Sequence, residues 1–433
     1  MHLSLPKTEI IPLWPGSTAA IRRMIKDEHP SWGRVEVKTC GRYLGFFVGP
    51  GKLHKNWDKA VNKFMERPQS WNASRDGLLF AVLAYNTFVI STLSFIGQLE
   101  RVTPQVLEAE ASALRHMVLG PGNWCIASDL HRLKEHYGQA ASFRSVWHNA
   151  FASGLRVSVL ESIQFENLHN DLQHLRRQCE HFHRFVHWRE WYDAAYVSNI
   201  VYMLRQASDI GIFPGQLYRK LRHTHSEAAS VLQKSLYEAL LKRNGNSFYD
   251  PEARVRHKMK RWKIQILPGI LARRVLRRLS DLHSLVPPRV AASVFRTLWN
   301  GWCTSARFQA EGKCVLACST EAADRIEHYC RCPFFRQFAT QRLGLQQHRV
   351  DLPGFLLVDH NMQESELTLM AIAVYAMNRV INAVRNDALK PGTLTADFIL
   401  DGLTQFAKTA LSGHFKSTKH LHHALHGRFA RNA

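Results

Sequence analysis

The sequence predicts a mainly α-helical chain with a small β segment at its N-terminus and a small metal-holding knuckle between residues 301 and 345. Three observations carry this. Apolar residues recur at three- and four-residue spacing over most of the chain after His54. Short runs of β-type residues are confined to the first fifty positions. Four cysteines crowd into the nineteen residues from Cys314 to Cys332, with His328 among them. At 433 residues the chain can bury a sizeable core. Its 45% hydrophobic and 21% charged content is that of an ordinary globular protein.

Taken in order, residues 1–52 hold the β-type runs Thr8 to Leu13 and Val35 to Val48. Between them Ser17 is placed to cap a helix running to about Glu28. Gly49, Pro50 and Gly51 then break the chain. So few strands cannot make an independent sheet domain, so this segment reads as the end of a larger fold. Residues 53–250 form a helical body, with helices expected over Asn56 to Arg67, Asp76 to Gln98, Pro104 to Leu119 and Ser142 to Val186. Breaks are expected at Pro68, Gly120-Pro121-Gly122, Pro214-Gly215 and Asn244-Gly245-Asn246. Gly77 to Leu99 carries no charge and is long enough to span a bilayer. It also carries Asn86, Thr87, Ser91, Thr92, Ser94 and Gln98 and lacks flanking Lys/Arg asymmetry, so a buried helix is expected and no membrane partner. Residues 251–300 are a basic helical segment and 301–345 the knuckle. Residues 346–433 are C-terminal helices (Leu352 to Phe355, Glu364 to Arg385, Thr395 to Leu411) and a His- and Lys-rich tail from His414 to Arg428, read as solvated.

Charge narrows the partner. Fifty-seven Lys and Arg against thirty-five Asp and Glu give +22. Such a surplus concentrates polyanions and points to nucleic acid. The densest stretch carries Arg254, Arg256, Lys258, Lys260, Arg261, Lys263, Arg273, Arg274, Arg277 and Arg278, with Trp262 interleaved. Each cation set on a phosphate would make binding more salt-sensitive. The competing readings are a solvated helix face and an amphipathic helix on an anionic membrane.

The cysteine cluster reads Cys314-x3-Cys318-x9-His328-x3-Cys332. Zinc takes four such ligands in a tetrahedron. Two Cys in a turn can close one side, and a His and a Cys four apart on one helix face can close the other. Cys330 is the rival for the fourth place; two residues from His328, it falls on the wrong side of a helix. Buried free thiols are the alternative. The remaining cysteines are scattered, and Met1 to Glu9 has no apolar core segment of a signal peptide. A reduced compartment follows, nuclear or cytoplasmic and not secreted, where clustered Cys favours metal over disulfide. Cys179, His183 and His187 stand four apart on one helical face and are a second, weaker metal candidate. Gly45 to Leu53 fails as a phosphate loop, because Leu53 stands where a Ser or Thr must meet magnesium. No adjacent Asp-Asp pair, nucleophile elbow or His-Glu-x-x-His is present.

Several segments together resemble one family. Leu3-Ser-Leu-Pro-Lys7-Thr8 resembles the segment that follows the catalytic Asp-Asp in reverse transcriptases of non-LTR (LINE-type) retrotransposons. Arg42-Tyr43-Leu44-Gly45 and the residues to Gly49 are similar to the end of their palm. Trp57, Lys63, Arg67 and Trp71, with the apolar helix beyond, look like the start of their thumb. Cys314 to Pro333, including Ile326-Glu327-His328-Tyr329, looks like their C-terminal Cys-Cys-His-Cys knuckle, with Asn300 to Thr304 and Arg307 as its lead-in. The pieces run from position 3 to 333 in the family's order, while residues 120 to 290 are not diagnostic.

The resemblance implies a palm remnant (1–52), a thumb and connector (53–250), a structural Zn2+ and RNA or an RNA–DNA hybrid as partner. It implies nucleic-acid contacts from Lys7, the basic residues above, Arg307, Arg325 and Arg331. The family's paired magnesium ions sit on palm carboxylates that this sequence does not contain, so Mg2+ and polymerisation would need a palm and fingers supplied on another chain. No restriction-type nuclease pair follows Cys332. The expectation is a truncated fragment that binds nucleic acid without an active site of its own. The alternative is a domesticated protein-interaction module whose zinc is purely structural.

Overall fold

Named strands lie only in the first fifty residues of the computed structural model, which describes residues 4–12, 17–52, 54–72, 77–160, 196–243, 249–319, 321–386 and 395–411. The rest is mostly helical, as the apolar spacing predicts. The chain divides into two compact units. One comprises Met1–Ser70, Asn86–Ala113 and Arg144–Phe248; the other comprises Trp71–Tyr85, Leu114–Phe143 and Tyr249–Ala433.

In the first unit, β1 (Glu9–Ile10) pairs in parallel with β2 (Glu36–Val37), joined by the Thr18–Glu28 helix. Ser17 caps that helix through its side-chain oxygen, which accepts from the Ala20 N–H at 3.3 Å. The register sets Glu9 opposite Glu36, a like-charge pair, and Lys38 bridges both carboxylates at 2.6 and 2.9 Å. β3 (Gly41–Tyr43) and β4 (Phe46–Val48) form an antiparallel hairpin. Its two turn residues, Leu44 (φ 48°) and Gly45 (φ 88°), both take positive φ, as a two-residue hairpin turn requires. Asn56 clamps this hairpin to the helix that follows, accepting from Phe47 N at 2.6 Å and donating to Phe47 O at 2.9 Å.

That helix, Lys55–Asn72, runs through Pro68, where a break is predicted. Pro68 forgoes one hydrogen bond. Phe64 and Pro68 stand four apart and are both buried, so packing on one face offsets the loss. The core of the first unit is built on Val146–Leu160, packed against Ala228–Arg243, Ser91–Leu99, Tyr196–Asp209 and Pro214–Thr224. Phe151, Leu155, Met203, Leu232, Leu236 and Leu240 fill it. Pro214-Gly215 starts a helix there, with proline in its first turn where the N–H is spare. The predicted continuation of the Ser142 to Val186 helix past Leu160, the Asn244-Gly245-Asn246 break, the Cys179–His183–His187 candidate and the tail from His414 lie outside the described residues.

The uncharged Gly77 to Leu99 segment is not one helix. It forms Leu78–Ala84, a π-helical turn at Tyr85–Val89, and Ser91–Leu99. The hydroxyls of Ser91 and Thr92 donate back to the carbonyls of Phe88 and Val89 at 3.2 and 2.8 Å, which competes with the regular ladder and bends a helix. Of the polar residues that argue against a membrane span, Asn86, Thr87, Ser91 and Thr92 lie at the break.

In the second unit the organising element is the Glu364–Arg385 helix, packed against Ala396–Leu411, Pro288–Leu298, Pro268–Leu285 and Leu352–Phe355. It is long and apolar enough to cross a membrane, but 83% of its apolar stretch is buried inside the protein. Gln363 and Glu366 cap its start, the Gln363 N–H donating to the Glu366 carboxylate at 3.0 Å. The basic segment forms Pro251–Met259, a 3-10 turn at Lys260–Trp262, and the Pro268–Leu285 helix. A buried polar hub holds this unit together. Asp129, fully buried, accepts from Tyr249 Oη (2.6 Å), Arg254 Nε and Nη2 (2.9 and 2.8 Å), Trp299 Nε1 (3.2 Å) and Ile126 N (3.2 Å).

Candidate metal centre and basic surface

The ligand atoms of Cys314, Cys318, His328 and Cys332 all lie within 4.8 Å of one another. Cys318 Sγ and His328 Nε2 are 3.2 Å apart. A tetrahedron with metal–sulfur bonds of about 2.3 Å has edges of roughly 3.8 Å, so the four groups need only small adjustments to share one zinc ion. Three thiols and one imidazole match the ligand set of a closed, structural zinc site. The thiols share their protons unequally. Hydrogen bonding from Cys332 pulls the Cys314 thiol down to about 5, while burial pushes Cys318 up to about 11 and the bond to Cys314 raises Cys332 further.

Local backbone explains how the four converge. Lys313 and Ala323 form an antiparallel bridge, and Cys314 N donates to Ala322 O at 2.7 Å. A tight turn with Ala317 at φ 51° brings Cys318 back toward Cys314. His328 sits on the one-turn Ile326–Tyr329 helix. The expectation that Cys332 follows on the same helix face is corrected. The helix ends at Tyr329, and Cys332 is the N-cap of Pro333–Gln337 with ψ 130°. Pro333 forces this, since the residue before a proline is driven out of the helical region. Cys330, the rival, points elsewhere, its thiol donating to Glu327 O at 3.2 Å. Burial raises it to about 12.

Asp324 fastens the knuckle to its unit. Its buried carboxylate accepts from Ser305 N and Oγ (2.7 and 2.9 Å), from Tyr329 Oη and from Arg385 at the end of the central helix. Burial, helped by the bond to Asp324, raises the Tyr329 hydroxyl's pKa. Trp302 packs against Tyr329 and Phe355, and its indole N–H donates to Thr297 at 2.9 Å.

The basic residues divide by what holds them. Arg254 is locked on Asp129; Lys258 donates to Trp124 O at 2.6 Å, Arg274 to Val358 O at 2.8 Å and Arg307 to Gly122 O at 2.9 Å. Burial, with Arg254 nearby, brings Lys258 down to about 8. Arg278 is half-buried, 4.0 Å from Asp281. Arg256 pairs loosely with Asp250 and Glu252 at 3.5 and 3.6 Å. Arg261 is exposed, bonded to Glu327 on the knuckle helix at 3.0 Å and stacked over Trp262. Lys260, Lys263, Arg273, Arg277, Arg325 and Arg331 are exposed, and their side chains make no hydrogen bond or ion pair among the described residues. All of these belong to the unit that carries the knuckle, whereas Lys7, also exposed, belongs to the other.

Sequence reasoning missed Asp129, Asp324 and Arg385. No local pattern announces them, because their partners lie 125 and 61 residues away. No family model, no curated protein and no solved structure matches this chain.

Proposed function

We propose that the chain is the C-terminal part of a LINE-type reverse transcriptase, binding RNA or an RNA–DNA hybrid and carrying no polymerase or endonuclease site of its own. The observation that carries this reading is the set of exposed cations at Lys260, Lys263, Arg273, Arg277, Arg325 and Arg331, whose side chains have no partner among the described residues, in the same unit as a Cys-Cys-His-Cys cluster. Lysines and arginines without protein partners are available to phosphates. Arg325 and Arg331 flank His328 in sequence, so zinc would fix the short fold from which they project. The order of motifs along the sequence supplies the family, and the absence of a paired carboxylate motif removes catalysis from the reading. Zinc in this reading is structural.

The test is RNA and hybrid binding across a salt series. Affinity that falls steeply and linearly with the logarithm of salt supports the reading. Absence of binding at low salt defeats it and favours the protein-interaction module. Incorporation of nucleotides on a poly-rA template by the purified chain would defeat the claim that it lacks an active site.

A further inference from the structure

Between the Lys260–Trp262 turn and the Pro268–Leu285 helix the chain presents an apolar point within its most basic stretch. Lys263 leaves the turn with φ 50°. Four residues on, Leu267 is 70% exposed, and Ile270 in the first helical turn is 42% exposed. Leu267 stands at the N-cap of that helix. Ile270, Arg273 and Arg277 follow at spacings of three and four, so they share one helical face. The first turn contains no carboxylate. Two bare aliphatic side chains thus head a stripe that continues as two exposed guanidiniums.

We infer that Leu267 and Ile270 form a wedge that enters between adjacent bases of a bound RNA–DNA hybrid, with Arg273 and Arg277 on the flanking phosphates. This rests on the nucleic-acid reading above and deepens it. Nucleic acid is the polyanion that also offers an apolar slot one or two side chains wide, and aliphatic residues between base steps are a common way of unstacking them. The charge of the stripe complements the backbone on either side of such a slot. A lipid surface fits less well. The two side chains carry about eight carbons together, less than a single myristoyl chain, which alone anchors only marginally.

The test uses the full chain and a short RNA–DNA hybrid with 2-aminopurine placed in turn at each position of the DNA strand. Saturating protein is expected to raise the fluorescence at one or more positions, because an unstacked fluorophore is no longer quenched. Leu267→Gln with Ile270→Gln should keep the thermal melt, bind within about threefold of the parent because most affinity is electrostatic, and lose that rise. Arg273→Gln with Arg277→Gln should instead lose affinity. Full occupancy by the parent with no rise at any position overturns the wedge and leaves the binding reading intact; no binding at low salt overturns both. A Leu267/Ile270 variant that keeps the rise but no longer floats with phosphatidylserine vesicles would assign the tip to membrane and overturn the wedge.

Discussion

Arg254 and Arg277 sit 23 positions apart in the same basic stretch, yet they should behave oppositely when neutralised. Arg254 lies against Asp129, whose carboxylate is fully buried, with three guanidinium–carboxylate bonds of 2.8 to 3.1 Å. Arg254→Gln removes the cation bonded to that carboxylate and leaves it Tyr249, Trp299 and Ile126 as donors, with Lys258 nearby. Breaking one side of a buried pair costs about 3–5 kcal/mol. The surviving donors set the expectation at the low end, about 3 kcal/mol, or a fall in Tm of roughly 6–12 °C for a unit of this size. Arg277 is exposed and its side chain bonds nothing among the described residues, so Arg277→Gln should change stability by less than about 0.5 kcal/mol. Binding should show the reverse. The plot of log affinity against log salt should flatten by about 0.7–0.9 for Arg277→Gln, the value for one phosphate left without its cation, and stay unchanged for Arg254→Gln measured well below its Tm. Urea denaturation and a salt titration on each variant read both quantities. The reasoning is refuted if Arg254→Gln flattens the salt slope without destabilising, or if Arg273→Gln combined with Arg277→Gln leaves the slope intact.

The metal centre should bind one zinc per chain by mass spectrometry, lost in Cys314→Ser and in Cys332→Ser and kept in Cys330→Ser, whose thiol points to Glu327 O. Asp324→Asn removes the charge that holds Arg385 but no ligand, so it should cost about 3 kcal/mol while zinc stays at one per chain. Lys258 supplies a pH signature. Its folded pKa is depressed from 10.5 to about 8, so between these values the unfolded chain holds the proton that the fold releases, and stability from this residue rises with pH. Below about pH 8 both states are charged and the cost of burying the cation is fully present. Lys258→Met should therefore gain stability relative to the parent at neutral pH, and the gain should shrink toward about pH 10 in denaturation midpoints.

Local structure was legible where its cause is local. Ser17 caps the helix it precedes, and the Glu364–Arg385 helix keeps the bounds its apolar run predicts. The grouping of Cys314, Cys318, His328 and Cys332, which could hold a metal ion, follows the spacing, and Cys330 lies outside that group. The helix face that the spacing assigns jointly to His328 and Cys332 does not form, because Pro333 places Cys332 at the start of the next helix. What the sequence hides is pairing at a distance. The Arg254 charge looks like its neighbours in composition, and only the fold brings Asp129 to it. The same holds for Pro68, which punctuates a sequence but here rides inside a helix whose buried face carries it.

Charge alone therefore does not say which cations face solvent, and burial sorts them. Arg254, Lys258, Arg274 and Arg307 have internal partners, so they belong to the architecture, whereas Lys260, Lys263, Arg273, Arg277, Arg325 and Arg331 are exposed. Three cysteines and a histidine would fill the coordination of a zinc ion and leave no open position for a water or substrate. Asp324 ties the knuckle helix to the central helix through Tyr329 and Arg385, and Glu327 ties it to Arg261 in the basic segment. Zinc would thus hold in register two groups of cations, one on the knuckle and one on the basic segment, that the sequence separates by some fifty residues.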